Sequence, residues 1–303
     1  MANHLDSLPN ELLLNVLDHF PTHLLLPLAA VSLRFRKLVG RLQYYRLVQT
    51  LNFPDHELHL ESYLPSDKLY TPSLFTEYTG TDGFDEAGDE ADVRVLNQLY
   101  SRFKLFLNAE SRRPRARWPT ARMVEGLEEL PADVPAPSYG IELEPGQLFT
   151  QLCVVVNLLK LSPVQGLFLS VVSVDHATVR VWRDWLREQA DRPAGELQGE
   201  AGKSLDDSSI LWTGSSKTVG VRFRVSRNEQ RSQREMPLLV DSREELAEYY
   251  RLEYLELIIR TNRLLLKFEE SETQQVVHSG SFYYPGAGFC HTVIQLPSIM
   301  PVQ

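Results

Sequence analysis

At 303 residues the chain has room for two domains of roughly 150 residues each, with a core that needs no disulfide staples. Hydrophobic residues at 43% and charged residues at 23% exclude wholesale disorder. A formal charge of −9 and a pI near 5.5 exclude general nucleic-acid coating, which needs a basic footprint.

Residues 5–48 are rich in leucine at helical spacing. Pro9 suits the start of a helix, where a missing amide costs nothing, and Glu11 sits near the positive end of the helix dipole. Leu12, Leu13, Val16, Leu17 and Phe20 follow on the helical period, and Leu14 widens the stripe. Pro21-Thr22 ends this helix and caps a second one through Leu24, Leu25, Leu28 and Ala29, which Pro27 keeps short or kinked. Ser32 caps a third helix carrying Phe35, Leu38 and Val39, with Gly40 as its expected stop. A unit below ~40 residues rarely buries enough surface to stand alone. Either the rest of the chain or a partner must therefore cover some of these leucines, each worth ~1.5–3 kcal/mol when fully buried.

The helical period is lost over residues 49–92, which end in an acidic run with seven acids between Glu77 and Asp92. Helical spacing returns over residues 93–108, where Val93, Leu96, Leu99, Tyr100, Phe103 and Leu107 share one face and Asp92 is the expected N-cap. Arg112, Arg113, Arg115 and Arg117 then precede Trp118, and prolines 131, 135 and 137 mark a linker. From about residue 147 the period shifts toward two, as in strands. Leu152–Leu161 and Gly166–Val174 are apolar strand candidates, and Thr218–Val225 alternates cleanly, with Arg222 and Arg224 opposite Val219, Val221, Phe223 and Val225. A short helix is expected from Asp175 through Val179, Trp182, Trp185 and Leu186, and a capping box at Ser242–Glu245 marks another. Leu255, Leu257 and Ile259 alternate and are expected to pair in a hairpin with a strand at Leu264–Glu270. Residues 277–284 and 290–296 offer two further strands. The expected class is α+β: three N-terminal helices (5–48), a mixed helical connector (49–134), and a mainly antiparallel β-sandwich (135–303) with one or two short helices.

The first segment resembles a known family. Leu8-Pro9-x-Glu11-Leu12-Leu13-Leu14-x-Val16-Leu17, then Leu25, Leu28, Val31-Ser32 and Phe35-Arg36-x-Leu38-Val39, is similar to an F-box over roughly residues 5–46. Pro27 stands where that family usually has a helix former, and the tryptophan often found near the module's end is absent, with Tyr44-Tyr45 in its neighbourhood. The resemblance implies docking on the Skp-type linker of a cullin–RING ubiquitin ligase through Leu8, Pro9, Leu12, Leu13, Leu25, Leu28, Val31 and Leu38. By the same analogy the remainder recruits a target protein, as a non-catalytic subunit acting in cytoplasm or nucleus. The strand-rich tail, through Ile210-Leu-Trp212, Val219–Val225 and Glu253–Leu257, is similar to the lectin-like sandwiches of some F-box proteins, including the phloem-lectin type. Glycan binding is therefore the alternative function.

Chemical motifs add little. The chain shows neither a Walker A loop nor G-x-G-x-x-G, and no G-x-S-x-G elbow. Cys153 and Cys290 make no C-x-x-C pair, no Asn-x-Ser/Thr sequon occurs, and the N-terminus lacks a signal-peptide pattern. The longest apolar run, Leu24–Val31, falls far short of the ~20 residues that span a bilayer. No cofactor or metal is expected: His56-x-x-His59 lacks a further ligand pair, and Cys290-His291 point to opposite faces of a strand. Arg222, Arg224 and Arg227 are candidate target-binding residues for an acidic or phosphorylated segment, or else a solvated face balanced by acids. Trp182, Trp185 and Trp212 either line a sugar-binding surface or pack in the core.

Overall fold

The computed structural model describes residues 8–53, 55–66, 73–84, 88, 92–107, 136–162, 168–193, 205, 208–228 and 247–274. Three helices open the chain: α1 (Asn10–Asp18), α2 (Thr22–Leu28) and α3 (Leu33–Leu51). Leu13, Leu17, Leu25, Ala29, Leu38, Val39 and Leu42 close their shared core. Pro9 is the N-cap residue of α1 and the helix proper starts at Asn10. Pro27 falls in the last turn of α2, which stops within seven residues. Ser32 caps α3 as expected, its hydroxyl accepting from the Phe35 amide at 3.2 Å. Gly40 is not the stop. A glycine inside a helix costs about 1 kcal/mol, and buried Leu42, Leu47 and Leu51 further along outweigh it, so α3 continues for 19 residues.

Those last turns of α3 deliver the chain to a sheet. Leu51 belongs to the core of the β-rich body. Among the described residues that body contains β1 (His56–Tyr63), β2 (Leu74–Thr81), β3 (Tyr100–Phe106), β4 (Ser138–Leu143), β5 (Phe149–Leu161), β6 (Phe168–Trp182), β7 (Ile210–Trp212), β8 (Val219–Arg227) and β9 (Glu248–Arg260). They form one sheet in the order β6-β5-β1-β2-β3-β9-β8-β7, with β4 also on β9, and every pairing is antiparallel. The class is α+β, as expected. The sheet curls around its own core: Leu60, Phe103, Leu152, Val174, Val221 and Leu252 share one cluster, and the Tyr254 hydroxyl reaches across to the Ser62 carbonyl at 3.4 Å. The helix α5 (Arg183–Ala190) packs against β6, at one end of the strand order, and β8, next to the other end. Its Trp185 indole donates to the Ser208 carbonyl at 2.7 Å.

Three expected elements differ from the sequence reading. The helix expected over 93–108 is one turn, α4 (Val93–Leu96) with Asp92 as its cap, followed by β3. Phe103 and Leu105 alternate into the core, and pairing on both edges with β2 and β9 overrides the helical spacing. The stretch read as a connector thus supplies three strands to the sheet. The strand expected at Leu264–Glu270 is helix α6 (Thr261–Thr273), whose buried Thr261, Leu264, Leu265 and Ser271 follow the helical period. The helix expected from Asp175 starts at Arg183, because β6 continues through Val179 to Trp182 along β5. Ser242–Glu245, residues 277–284 and 290–296, and the arginine run at 112–117 lie outside the described residues.

Candidate functional site

Helix α1 carries two apolar stripes. Leu13 and Leu17, four apart, face the module's core at 2% and 4% exposure. Leu12 and Val16, also four apart but one position round the helix, are 50% and 55% exposed, and Phe20, just past the helix end, is 43% exposed. With Leu8, Asn15 and His19 they line an open groove of about 600 Å³. Leu24, Val31 and Leu33 extend the exposed apolar surface from the following segments. The expected docking residues therefore divide. Pro9, Leu12 and Val31 are exposed, and Leu8 and Leu28 are half-buried. Leu13, Leu25 and Leu38 are buried in the module's own core and are not available at its surface. The run Leu12-Leu13-Leu14 was the visible sign that one helix had more apolar surface than its own core could use.

The groove sits on a firmly held base. Arg46 of α3 binds the Asp18 carbonyl at 2.8 Å, the Asp18 carboxylate at 3.3 Å and Glu269 of α6 at 3.0 Å. Glu269 also accepts from the Thr22 amide at 2.8 Å and the Thr22 hydroxyl at 2.6 Å. An amide left orphaned at the start of α2 is thus capped by a carboxylate 247 positions away. Gln43 adds donations to Asn97 and Asn262. Tyr44 stacks on Phe84 with centroids 5.0 Å apart.

Residues 5–47 match the family model described as the F-box domain. This segment is an F-box domain. Neither a curated protein nor a solved structure matches the chain. The F-box match covers α1, α2 and most of α3, the elements that carry the outward stripe and its buried counterpart.

A second feature lies on the outer face of the sheet. The register sets Lys104 of β3 opposite Glu256 of β9, and Glu256 opposite Arg222 of β8. Bulges flank this row on both sides. Between Tyr78 and Gly80 the β2 register slips by one residue, and Leu255 is the extra residue of β9 against Arg222 and Phe223. The second slip reverses the phase of β9: Leu252 and Tyr254 point inward before it, Leu257 and Ile259 after it. Leu255 and its neighbour Glu256 both line an open cleft of about 510 Å³ as a result. Its other walls include Arg102, Lys104, Arg222, Arg224 and Asp82. Arg102 reaches Glu256 at 2.8 Å and Asp82 at 2.6 Å, and Arg222 reaches the same Glu256 at 3.1 Å. Burial alone would lower the Arg102 pKa; Asp82 and Glu256 outweigh it, so the value rises and the guanidinium stays charged.

The three candidate arginines are not one site. Arg222 and Arg224 face the cleft, whereas Arg227 pairs with Asp191 at 2.9 Å outside it. Arg224 lies 3.5 Å from Glu253. The tryptophans are also apart in their contacts: Trp182 packs on Phe149, Trp185 bonds Ser208, and Trp212 meets Tyr100. His56 Nε2 lies 3.0 Å from Ser271 Oγ, itself against Ser170, but all three residues are buried and meet no dissolved substrate. Among the described residues no group of His, Cys, Asp and Glu gathers as a metal site, and no helix is long and apolar enough to cross a membrane.

Proposed function

We propose that the protein is a substrate-recruiting subunit of an SCF-type ubiquitin ligase. The F-box domain docks a Skp-type linker, and the curled sheet holds a target protein. The observation that carries this reading is the outward stripe Leu12-Val16 on α1, continued by Phe20 just past its end, beside a neighbouring stripe that is already buried. Leu8, Pro9, Leu12, Leu28 and Val31 contribute to the docking face, together with Val16 and Phe20. Leu13, Leu25 and Leu38 hold that face in shape from behind. The protein itself performs no bond chemistry in this role; it raises the effective concentration of target near charged ubiquitin on partner enzymes.

The test is coexpression of the full chain with a Skp-type linker. Leu12→Asp combined with Val16→Asp is expected to abolish copurification while leaving the melting temperature within a few degrees of the parent, because both positions are exposed. Undiminished copurification of the linker with this variant rejects the docking face.

A further inference from the structure

Resting on the adaptor reading above, we infer that the outer cleft between the two bulges is the target-binding site, and that its ligand is an acidic peptide segment. Four cations, Arg102, Lys104, Arg222 and Arg224, line the cleft against two carboxylates, Asp82 and Glu256. Those two carboxylates are already committed. Glu256 is shared by Arg102 and Arg222, whose side chains are each 7% exposed, and Asp82 is held by Arg102. Counting Asp82, the two arginines and two carboxylates of this floor balance in charge.

The surplus lies on the walls. Lys104 stands opposite both Glu77 and Glu256 in the register yet makes no ion pair among the described residues. Arg224 has one carboxylate contact, at 3.5 Å, and its Nε is shielded from solvent with no hydrogen-bond partner among the described residues. An ammonium and a guanidinium with unused donors, set over a charge-balanced floor, fit anionic oxygens from aspartate, glutamate or phosphoserine side chains. The two bulges supply the concavity: a regular sheet would alternate its side chains and leave the face flat. About 510 Å³ falls within the range of a ligand pocket (~300–1,000 Å³) and holds a short run of side chains, not a nucleic-acid duplex.

The experiment uses the full chain bound to its linker subunit and three fluorescent probes: an Asp/Glu-rich ten-residue peptide, its phosphoserine counterpart, and a Ser/Gln peptide of equal length. Both anionic probes should bind, with affinity falling as salt rises, and the neutral peptide should not. Lys104→Glu with Arg224→Glu should weaken the anionic probes about tenfold or more. The milder pair Lys104→Gln with Arg224→Gln should weaken them less, which keeps the result readable if charge reversal unfolds the chain. A larger loss for the phosphopeptide would assign the ligand to phosphoserine, and equal losses to plain acidic side chains. The inference is overturned if the acidic peptides bind no better than the neutral one, or if the glutamine pair leaves their affinity unchanged. It is also overturned if a 12-nucleotide RNA binds more tightly than either. Linker copurification is read in the same samples, so failure of the cleft and failure of the F-box docking face are separate results.

Discussion

The F-box domain and the sheet expose opposite kinds of surface. Among the described residues, eight large apolar side chains between Leu12 and Val48 are exposed, against Val95, Phe106, Leu148 and Trp182 in all the rest. The outer face of the sheet instead carries its charges in pairs, such as Arg222 with Glu256 and Arg224 with Glu253. An exposed apolar stripe gains free energy from almost any shape that covers it, so it suits one constant partner. A paired polar face gains little from burial and discriminates by where charge remains unpaired, so it suits a chosen one. In the proposed role, docking and selection would draw on different physics in one chain.

The sharpest way to break this comparison is within α1 and α2 themselves. Leu25→Ala should cost ~2–5 kcal/mol in chemical denaturation, because Leu25 is 1% exposed and its removal leaves a cavity. Leu12→Ala, at 50% exposure, should change stability by no more than ~0.5 kcal/mol while weakening the linker complex. Equal stability losses would mean that α1 has no free stripe.

The joint between the regions comes next. Glu269 accepts from the Thr22 amide, the Thr22 hydroxyl and Arg46, so one carboxylate ties α6 of the sheet body to both α2 and α3. Glu269→Ala should cost ~2–3 kcal/mol, since it strands the Thr22 amide and removes the charge partner of Arg46, which is 14% exposed. Limited proteolysis should then cut near Pro21 faster than in the parent chain. Unchanged cleavage would show that the F-box is held by α3 alone.

This joint also marks where reading the sequence fails. The F-box was legible because its cues are local: Leu-Pro, a four-residue leucine spacing, Ser32 three residues before the Phe35 amide it caps. Strand β5 was legible as a long apolar run, and β8 because Val219, Val221, Phe223 and Val225 alternate with Gly220, Arg222 and Arg224. By contrast, Glu269 meets Thr22 across 247 positions, and Arg102 meets Glu256 across 154. Nothing near either residue signals its partner. The helical spacing of Val93, Leu96, Leu99, Tyr100 and Phe103 misled for a related reason: two neighbouring strands decide the conformation of β3. The β9 bulge hid the cleft, since Leu255, Leu257 and Ile259 read as one face until the register puts Leu255 on the other.

The smallest expected effect concerns the edge where α5 meets β9. Glu248 binds Arg187 of α5 and accepts from the Tyr250 hydroxyl, with Arg183 4.0 Å away. Burial alone would raise the Glu248 carboxyl; the hydrogen bonds from Arg187 and Tyr250 outweigh it and bring the pKa below the ordinary value. Burial and the same carboxylate push the Tyr250 phenol up to about 12, so it remains a donor at neutral pH. A carboxyl depressed in the folded state contributes stability that is fully present above its unfolded pKa of about 4.3 and is lost as pH falls through the folded value. Glu248→Gln should therefore be less stable than the parent at pH 7, by about 1 kcal/mol or less for so accessible a pair. The two stability curves should converge as pH drops below 4.3, because the parent alone has this increment to lose. Parallel curves over that interval would mean that the Glu248 carboxylate contributes nothing to holding α5 on the sheet, and that apolar contacts through Leu186 carry the whole attachment.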